Sequence, residues 1–296
     1  MAAVPTSRAL PLVILLAILW GGSWPMFNIV LRDLSVWTFR AIAVTGAGVL
    51  LIGIAAARRM PLGVPRAAWP ALAGGAMGTI TVWYVAATAA TLFIPSGQAS
   101  VLGYTMPLWA ALAGTLFLGE RLSGRVALAL VFGAATVGFL AVPNLGKIAG
   151  APAGIGCALL AGIGWAAGTL IQKRADWRGV PPLVLTAWQM LIGAVPIIAG
   201  AALFAEWRWT PVSTPALLSL IWLTAVPTAV GTMIWFRIVH LLPANIASLS
   251  TILVPVVAVV GGVWAHGEPF GPWQALALAS AVAALALALL RPPAES

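Results

Sequence analysis

Aromatic and amide side chains that hydrocarbon tolerates poorly stand well inside long apolar runs: Trp20 and Trp24, Trp83 and Tyr84, Tyr104, Trp165, and Trp188 with Gln189. Tyrosine and tryptophan join an apolar wall to one hydrogen-bonding group, which suits a solute carrying an apolar side chain and an ammonium group. These residues are the candidate binding set, and ordinary helix packing is the other reading of each. Trp37, Trp69, Trp177, Trp207, Trp209 and Trp273 stand instead at the ends of apolar runs, where an interfacial belt accounts for them. Pro25, Pro107, Pro227 and Pro255 fall close to the centres of their runs. Each lacks an N–H and crowds the carbonyl four residues earlier, which frees Gly21, Gly103, Leu223 and Thr251. A free carbonyl at membrane depth is satisfied by another helix, a hydroxyl or water, or it lines a cavity. Gly21, Pro25, Gly103, Pro107, Pro227, Thr251 and Pro255 are therefore candidate helix breaks and gating points.

Covalent chemistry has little to work with. His240 and His266 are the two histidines, Cys157 is the lone cysteine, and Asp33, Glu120, Asp176, Glu206, Glu268 and Glu295 all fall at the ends of runs or between them. A membrane enzyme needs a nucleophile with its base, a carboxylate pair or a ligand cluster, so no enzyme, metal or cofactor is expected. The absence of an acid at mid-run also argues against a proton carried on a buried carboxylate. Arg40 is the one intramembrane cation. Roughly two turns from the outer end of its run, it is expected to snorkel to the headgroups, with a carboxylate-binding or gating role as the alternative.

The elements that must position these residues are membrane helices. The chain of 296 residues is 62% apolar and 7% charged, with a mean hydropathy of +1.06, which leaves nothing from which to build a water-facing shell. Its net charge of +9 is spread between apolar runs, so nucleic-acid binding is not expected. Ten runs approach the roughly 20 residues that cross a bilayer core: Leu10 to Val30, Ser35 to Ala57, Ala68 to Leu92, Pro95 to Phe117, Ser123 to Val142, Pro152 to Lys173, Pro181 to Phe204, Thr214 to His240, Pro243 to Ala265 and Phe270 to Leu290. Counted by alternate connections, 11 cations lie on one side and 3 on the other, which predicts cytoplasmic N- and C-termini.

A shift of 148 residues aligns Pro95 to Glu120 with Pro243 to Glu268 without a gap, matching eight of 26 positions, including Pro107 with Pro255. Five helices per half is an odd number, so the second copy enters from the opposite face. The expected fold is an all-α membrane protein of two inverted five-helix repeats, residues 1–147 and 148–296, with a solute site near the midplane where they meet. Gly74/Gly78 and Gly164/Gly168 have the spacing that lets helices approach closely, and read as packing.

The run Ala-Ile-Leu-Trp-Gly-Gly-Ser-Trp at 17–24, Phe39-Arg40, and Pro95 to Leu122 with its ending Leu-Gly-Glu-Arg-Leu resemble the EamA family of the drug/metabolite transporter superfamily. The second half departs from the pattern, with Gln189 near the place of Arg40 and Glu268-Pro269 for Glu-Arg. The resemblance implies a ten-helix exporter of amino acids or related metabolites, with the bacterial exporters of aromatic and hydrophobic amino acids as the nearest subgroup; the expected setting is the bacterial inner membrane and the expected mechanism is alternating access by rocking of the two halves. A multidrug or cationic-metabolite exporter and a non-saturable channel are the alternatives. A small solute and the lipid bilayer are the expected partners, and loops this short predict no obligate protein partner.

Overall fold

The computed structural model describes residues 10–94, 96–118, 123–142, 151–204, 211–242, 247, 251–266 and 271–289. The described elements are helical throughout: α1 (Leu10–Gly21), α2 (Trp24–Val30), α3 (Val36–Ala57), α4 (Trp69–Ala76), α5 (Trp83–Ala90), α6 (Ser96–Gly103), α7 (Met106–Leu118), α8 (Gly124–Ala141), α9 (Pro152–Arg174), α10 (Pro182–Phe204), α11 (Thr214–Leu223), α12 (Thr232–Leu241), α13 (Leu253–His266) and α14 (Pro272–Leu289). A π-helical turn at Met77–Val82 joins α4 to α5, and another at Thr224–Gly231 joins α11 to α12.

Eight continuous or broken helical runs are long and apolar enough to cross a membrane, and they coincide within a few residues with the first eight expected spans. The last two expected spans correspond to the shorter helix α13 and to α14. The start of the ninth, at Pro243, lies outside the described residues, as do Pro95, Glu120 and Glu268 of the aligned repeat. The same holds for Arg8, Arg121, Lys147, Arg208 and Arg291 of the charge count.

Apart from the π turn at Met77–Val82, the breaks fall where proline removes a helical N–H. Pro25 follows the Gly21–Ser23 interruption between α1 and α2, and Pro107 follows the turn at Tyr104 and Thr105 between α6 and α7. Pro227 lies inside the second π turn, and Pro255 in the first turn of α13. Thr251, whose carbonyl Pro255 frees, accepts instead from the Val254 amide at 2.9 Å. Pro196 lies inside α10 without interrupting it.

Small residues set the packing, since lipid supplies no hydrophobic drive between helices and close contact must do so. A Cβ on Gly78 would overlap the Gly164 carbonyl and lie 2.9 Å from the Gly168 amide, and one on Gly168 would lie 2.7 Å from the Thr79 amide. The α4–α5 run and α9 thus touch backbone to backbone, as the glycine spacing predicts. Gly74 is looser, with Ile171 at 3.4 Å from its virtual Cβ. The longest contacts pair α3 with α10 and α8 with α14.

Cations hold the helix ends at one face. Lys173 donates to the carbonyls of Val239 and Leu242, both at 2.8 Å, placing a positive charge at the negative end of α12. Arg174 reaches the Phe117 carbonyl at the end of α7, and Arg125 that of Ala286 near the end of α14, each at 3.3 Å. Toward the other face, Asp33 accepts from the hydroxyl and amide of Ser213 at 2.6 and 2.8 Å. Those bonds hold its carboxyl below the usual value.

Candidate functional site

Five of the eight candidate side chains line one central chamber. Trp24 meets Tyr104 with ring centroids 6.1 Å apart, Tyr104 meets Trp83 at 5.5 Å, and Trp20 and Tyr84 complete the wall. Ser23, Phe27 and Thr228 also face it, as does Leu223, whose carbonyl Pro227 frees. The chamber holds about 30 Å³, room for a water or two and far less than an amino acid needs.

Arg40 is the charge in this chamber. It is 2% exposed, its Nε donates to the Thr88 hydroxyl, and its guanidinium carbon lies 4.3 Å from the ring centroids of both Phe27 and Phe39 and 5.1 Å from that of Tyr84. The expected snorkelling is therefore corrected. Arg40 shares a face of α3 with buried Ala43, Val44, Ala47 and Leu51, and that face turns inward. Cation–π contacts at this depth contribute about 1–2 kcal/mol each, which offsets part of the desolvation. Among the described residues, no carboxylate lies within ion-pair distance of it.

Both halves of the chain enter the chamber wall. The Trp20 indole donates to the Pro227 carbonyl at 3.0 Å, so the second π turn gains a partner from α1. The hydroxyls of Tyr84 and Thr232 meet at 3.0 Å, 148 residues apart in sequence. Gly21 is a point of close approach, because a Cβ there would lie 2.8 Å from the Val254 carbonyl and from Val257. The Gly103 carbonyl freed by Pro107 lies against Gly162, 2.8 Å from a virtual Cβ.

The other three candidates lie elsewhere. Trp165 is fully buried behind the chamber, in a triangle with Trp20 at 5.4 Å and Trp235 at 5.3 Å, and Trp20 and Trp235 stand 6.0 Å apart. The indole N–H groups of Trp165 and Trp235 find no hydrogen-bond partner among the described residues. Trp188 donates to the Leu62 carbonyl at 2.9 Å and packs edge-on to Trp69, at the end of its run. Gln189 lines a separate cavity of about 270 Å³ with Gln172, Lys173, Trp177, Phe236 and His240. Trp177, expected in the interfacial belt, is 9% exposed and donates to the Gln172 carbonyl at 3.0 Å.

Sequence reasoning missed Trp235, Phe27, Ser23 and Thr228. Trp235 is fully buried four residues after Gly231, and that spacing from the break was the available signal. Nothing in local composition distinguishes Phe27 or Thr228 from packing.

Comparison with known proteins agrees with this architecture. The chain is 26% identical over 263 residues to the uncharacterized transporter YvbV of Bacillus subtilis (strain 168), spanning 88% of this chain and 84% of that protein. It is 29% identical over 173 residues to a probable amino-acid metabolite efflux pump of Escherichia coli (strain K12), spanning 55% of this chain and 57% of the pump. A crystal structure superposes with a TM-score of 0.78 over 96% of this chain and 98% of the other, at 22% identity, and so shares the fold. The sequence pattern of one transporter family matches twice in tandem, over residues 7–142 and 152–290. With a family match on each half and eight helical runs long and apolar enough to span a bilayer, the chain is a multi-pass membrane protein belonging to the EamA-like transporter family.

Proposed function

We propose that this protein is a secondary exporter of amino acids with aromatic or other apolar side chains, working by alternating access at the Arg40 chamber. The observation that carries the reading is a buried guanidinium in an aromatic chamber without a carboxylate partner among the described residues. An uncompensated buried charge is costly, and a solute carboxylate supplies the counter-charge. Trp20, Trp24, Trp83, Tyr84 and Tyr104 supply an apolar wall with hydrogen-bonding edges for the rest of the solute. A positive charge at the centre speaks against a cationic drug as substrate. A water-sized chamber speaks against a channel, which needs a continuous lining. The efflux activity named for the Escherichia coli relative points in the same direction.

On this reading the two family matches are the two repeats, residues 1–147 and 148–296, inverted with respect to each other. The two π turns lie about 148 residues apart, as do the breaks before Pro107 and Pro255, which supports the pairing. With α13 and α14 completing the ninth and tenth spans, both termini lie in the cytoplasm and the protein sits in the bacterial inner membrane. The face bearing Lys173, Arg174 and Arg125 is then cytoplasmic.

Purified protein in liposomes, preloaded with unlabelled amino acid, tests this by counterflow of labelled phenylalanine, leucine, glutamate and lysine beside a few cationic drugs. Saturable counterflow of phenylalanine and leucine is expected. Movement of the cationic drugs alone would refute the assignment, and non-saturating flux would make the protein a channel.

A further inference from the structure

The cavity around Gln189 is separate from the Arg40 chamber, and the two share no lining residue. The Trp20–Trp165–Trp235 triangle stands beside the chamber, which Trp20 lines. At about 270 Å³ the cavity suits a solute somewhat smaller than a drug-sized ligand. Trp177, Phe236, Leu185 and Val239 supply apolar walls, and Lys173 and His240 stand with the amides of Gln172 and Gln189 as its polar groups.

Those amides are oriented by their neighbours. The Thr79 hydroxyl donates to the Gly75 carbonyl at 2.8 Å, so the Gln172 atom 3.1 Å from Thr79 Oγ1 has to be the donor, Nε2. The same nitrogen lies 3.0 Å from Gln189, whose contacting atom must accept and is therefore Oε1. Both side chains are at least nine-tenths buried. With those atoms committed, Gln172 Oε1 remains as an acceptor and Gln189 Nε2 as a donor, and no described side chain engages either. An acceptor and a donor on adjacent buried amides match the ammonium and carboxylate of a free amino acid. The Lys173 charge, fixed on the Val239 and Leu242 carbonyls, adds positive potential to the cavity lining.

We propose that this cavity is a second amino-acid site, holding the ammonium at Gln172 Oε1, the carboxylate at Gln189 Nε2 and the apolar side chain against Trp177 and Phe236. The site rests on the substrate class proposed above and lies at the cation-rich face, where it captures solute ahead of the Arg40 chamber. Thr79 belongs to the first π turn, and an occupant therefore bears on that turn through Gln172.

Equilibrium binding of labelled phenylalanine to the full chain in detergent tests it. Two sites per chain are expected. In Gln189→Glu one carboxylate oxygen still accepts from Gln172 while the other replaces the donor by a negative charge, and this variant should keep one site and lose the second by on the order of tenfold or more. Arg40→Met should lose the other. A single site, abolished by Arg40→Met and untouched by Gln189→Glu, would overturn the second site and leave the chamber standing. Failure of the wild type to bind any apolar amino acid would overturn both. As an independent readout, a cysteine placed by His240→Cys in a Cys157→Ser background should be shielded from maleimide several-fold by phenylalanine, in Arg40→Met as well. Unchanged labelling would count against the site whatever the folding of the glutamine variant.

Discussion

Replacing Arg40 by methionine should separate function from stability. Methionine matches the arginine stem in length and removes the charge. The fold loses cation–π contacts to Phe27, Phe39 and Tyr84 at about 0.5–2 kcal/mol each. It also loses the Nε bond to Thr88, whose hydroxyl keeps its own bond to the Tyr84 carbonyl at 2.7 Å and is not left unsatisfied. Against these losses stands relief of the desolvation of an unpaired ion, which is several kcal/mol. The two sides are similar in size, so apo stability should change by no more than about 2 kcal/mol. The solute carboxylate loses a charge-assisted bond of about 1.5–3 kcal/mol, which raises KM for phenylalanine roughly 10- to 150-fold. Counterflow in liposomes reads the KM, and melting monitored by size-exclusion chromatography in detergent reads the stability. A collapse of the melting temperature with KM unchanged would make Arg40 a structural residue and refute the chamber's role.

Gly78→Ala forces a methyl group into the Gly164 and Gly168 backbone, which cannot yield, and should destabilise by about 1–3 kcal/mol. Gly74→Ala meets only the flexible end of Ile171 and should melt like the wild type, so equal melting of the two would undo the packing assignment. Lys173→Met leaves the Val239 and Leu242 carbonyls without their ammonium donor and should lower stability by about 1–3 kcal/mol. Lys173→Arg should restore part of it, and thermal melts of the pair decide. Asp33 gives a pH test. Its folded pKa is lowered by Ser213, so the stabilisation is full above the unfolded value and is lost as pH falls through the folded one. Ser213→Ala should therefore melt below the wild type at neutral pH, with the two curves converging in acid below the ordinary carboxylate range.

The first eight spans were legible because hydropathy and length report directly on a lipid solvent, and the prolines marked most of the breaks because a missing N–H acts locally. The first π turn was not legible. Met77–Val82 contains no proline, and its widened path is set by backbone contact with Gly164 and Gly168, more than eighty residues away. Arg40 was misjudged for a related reason. Depth along α3 was readable, but its direction follows from the face shared with Ala43, Ala47 and Leu51, a pattern in which small residues mark a helix neighbour rather than lipid. Gln189 was legible as an amide inside an apolar run, but its setting was not. Its neighbours, Gln172 from α9 and Thr79 from the first π turn, come from distant parts of the chain.

Two polar links join the chamber walls across the chain, from Trp20 to the Pro227 carbonyl and between Tyr84 and Thr232. Each is worth about 1 kcal/mol net, so the wall can part at modest cost wherever water or solute replaces the lost partner. The breaks decide where it parts. A helix interrupted at mid-membrane can tilt one half while the other stays seated, whereas an unbroken helix carries both ends together. On the proposed cycle, the broken runs α1–α2, α4–α5, α6–α7 and α11–α12 are the moving parts, and the unbroken α3, α9 and α10 are the frame. Arg40 belongs to the frame, on α3, while Trp20, Trp24, Tyr84 and Tyr104 belong to the moving runs. A carboxylate held at Arg40 would then stay in place while the aromatic wall around the side chain rearranges. A fixed charged anchor with a movable apolar wall lets one solute remain bound as access passes from one face to the other.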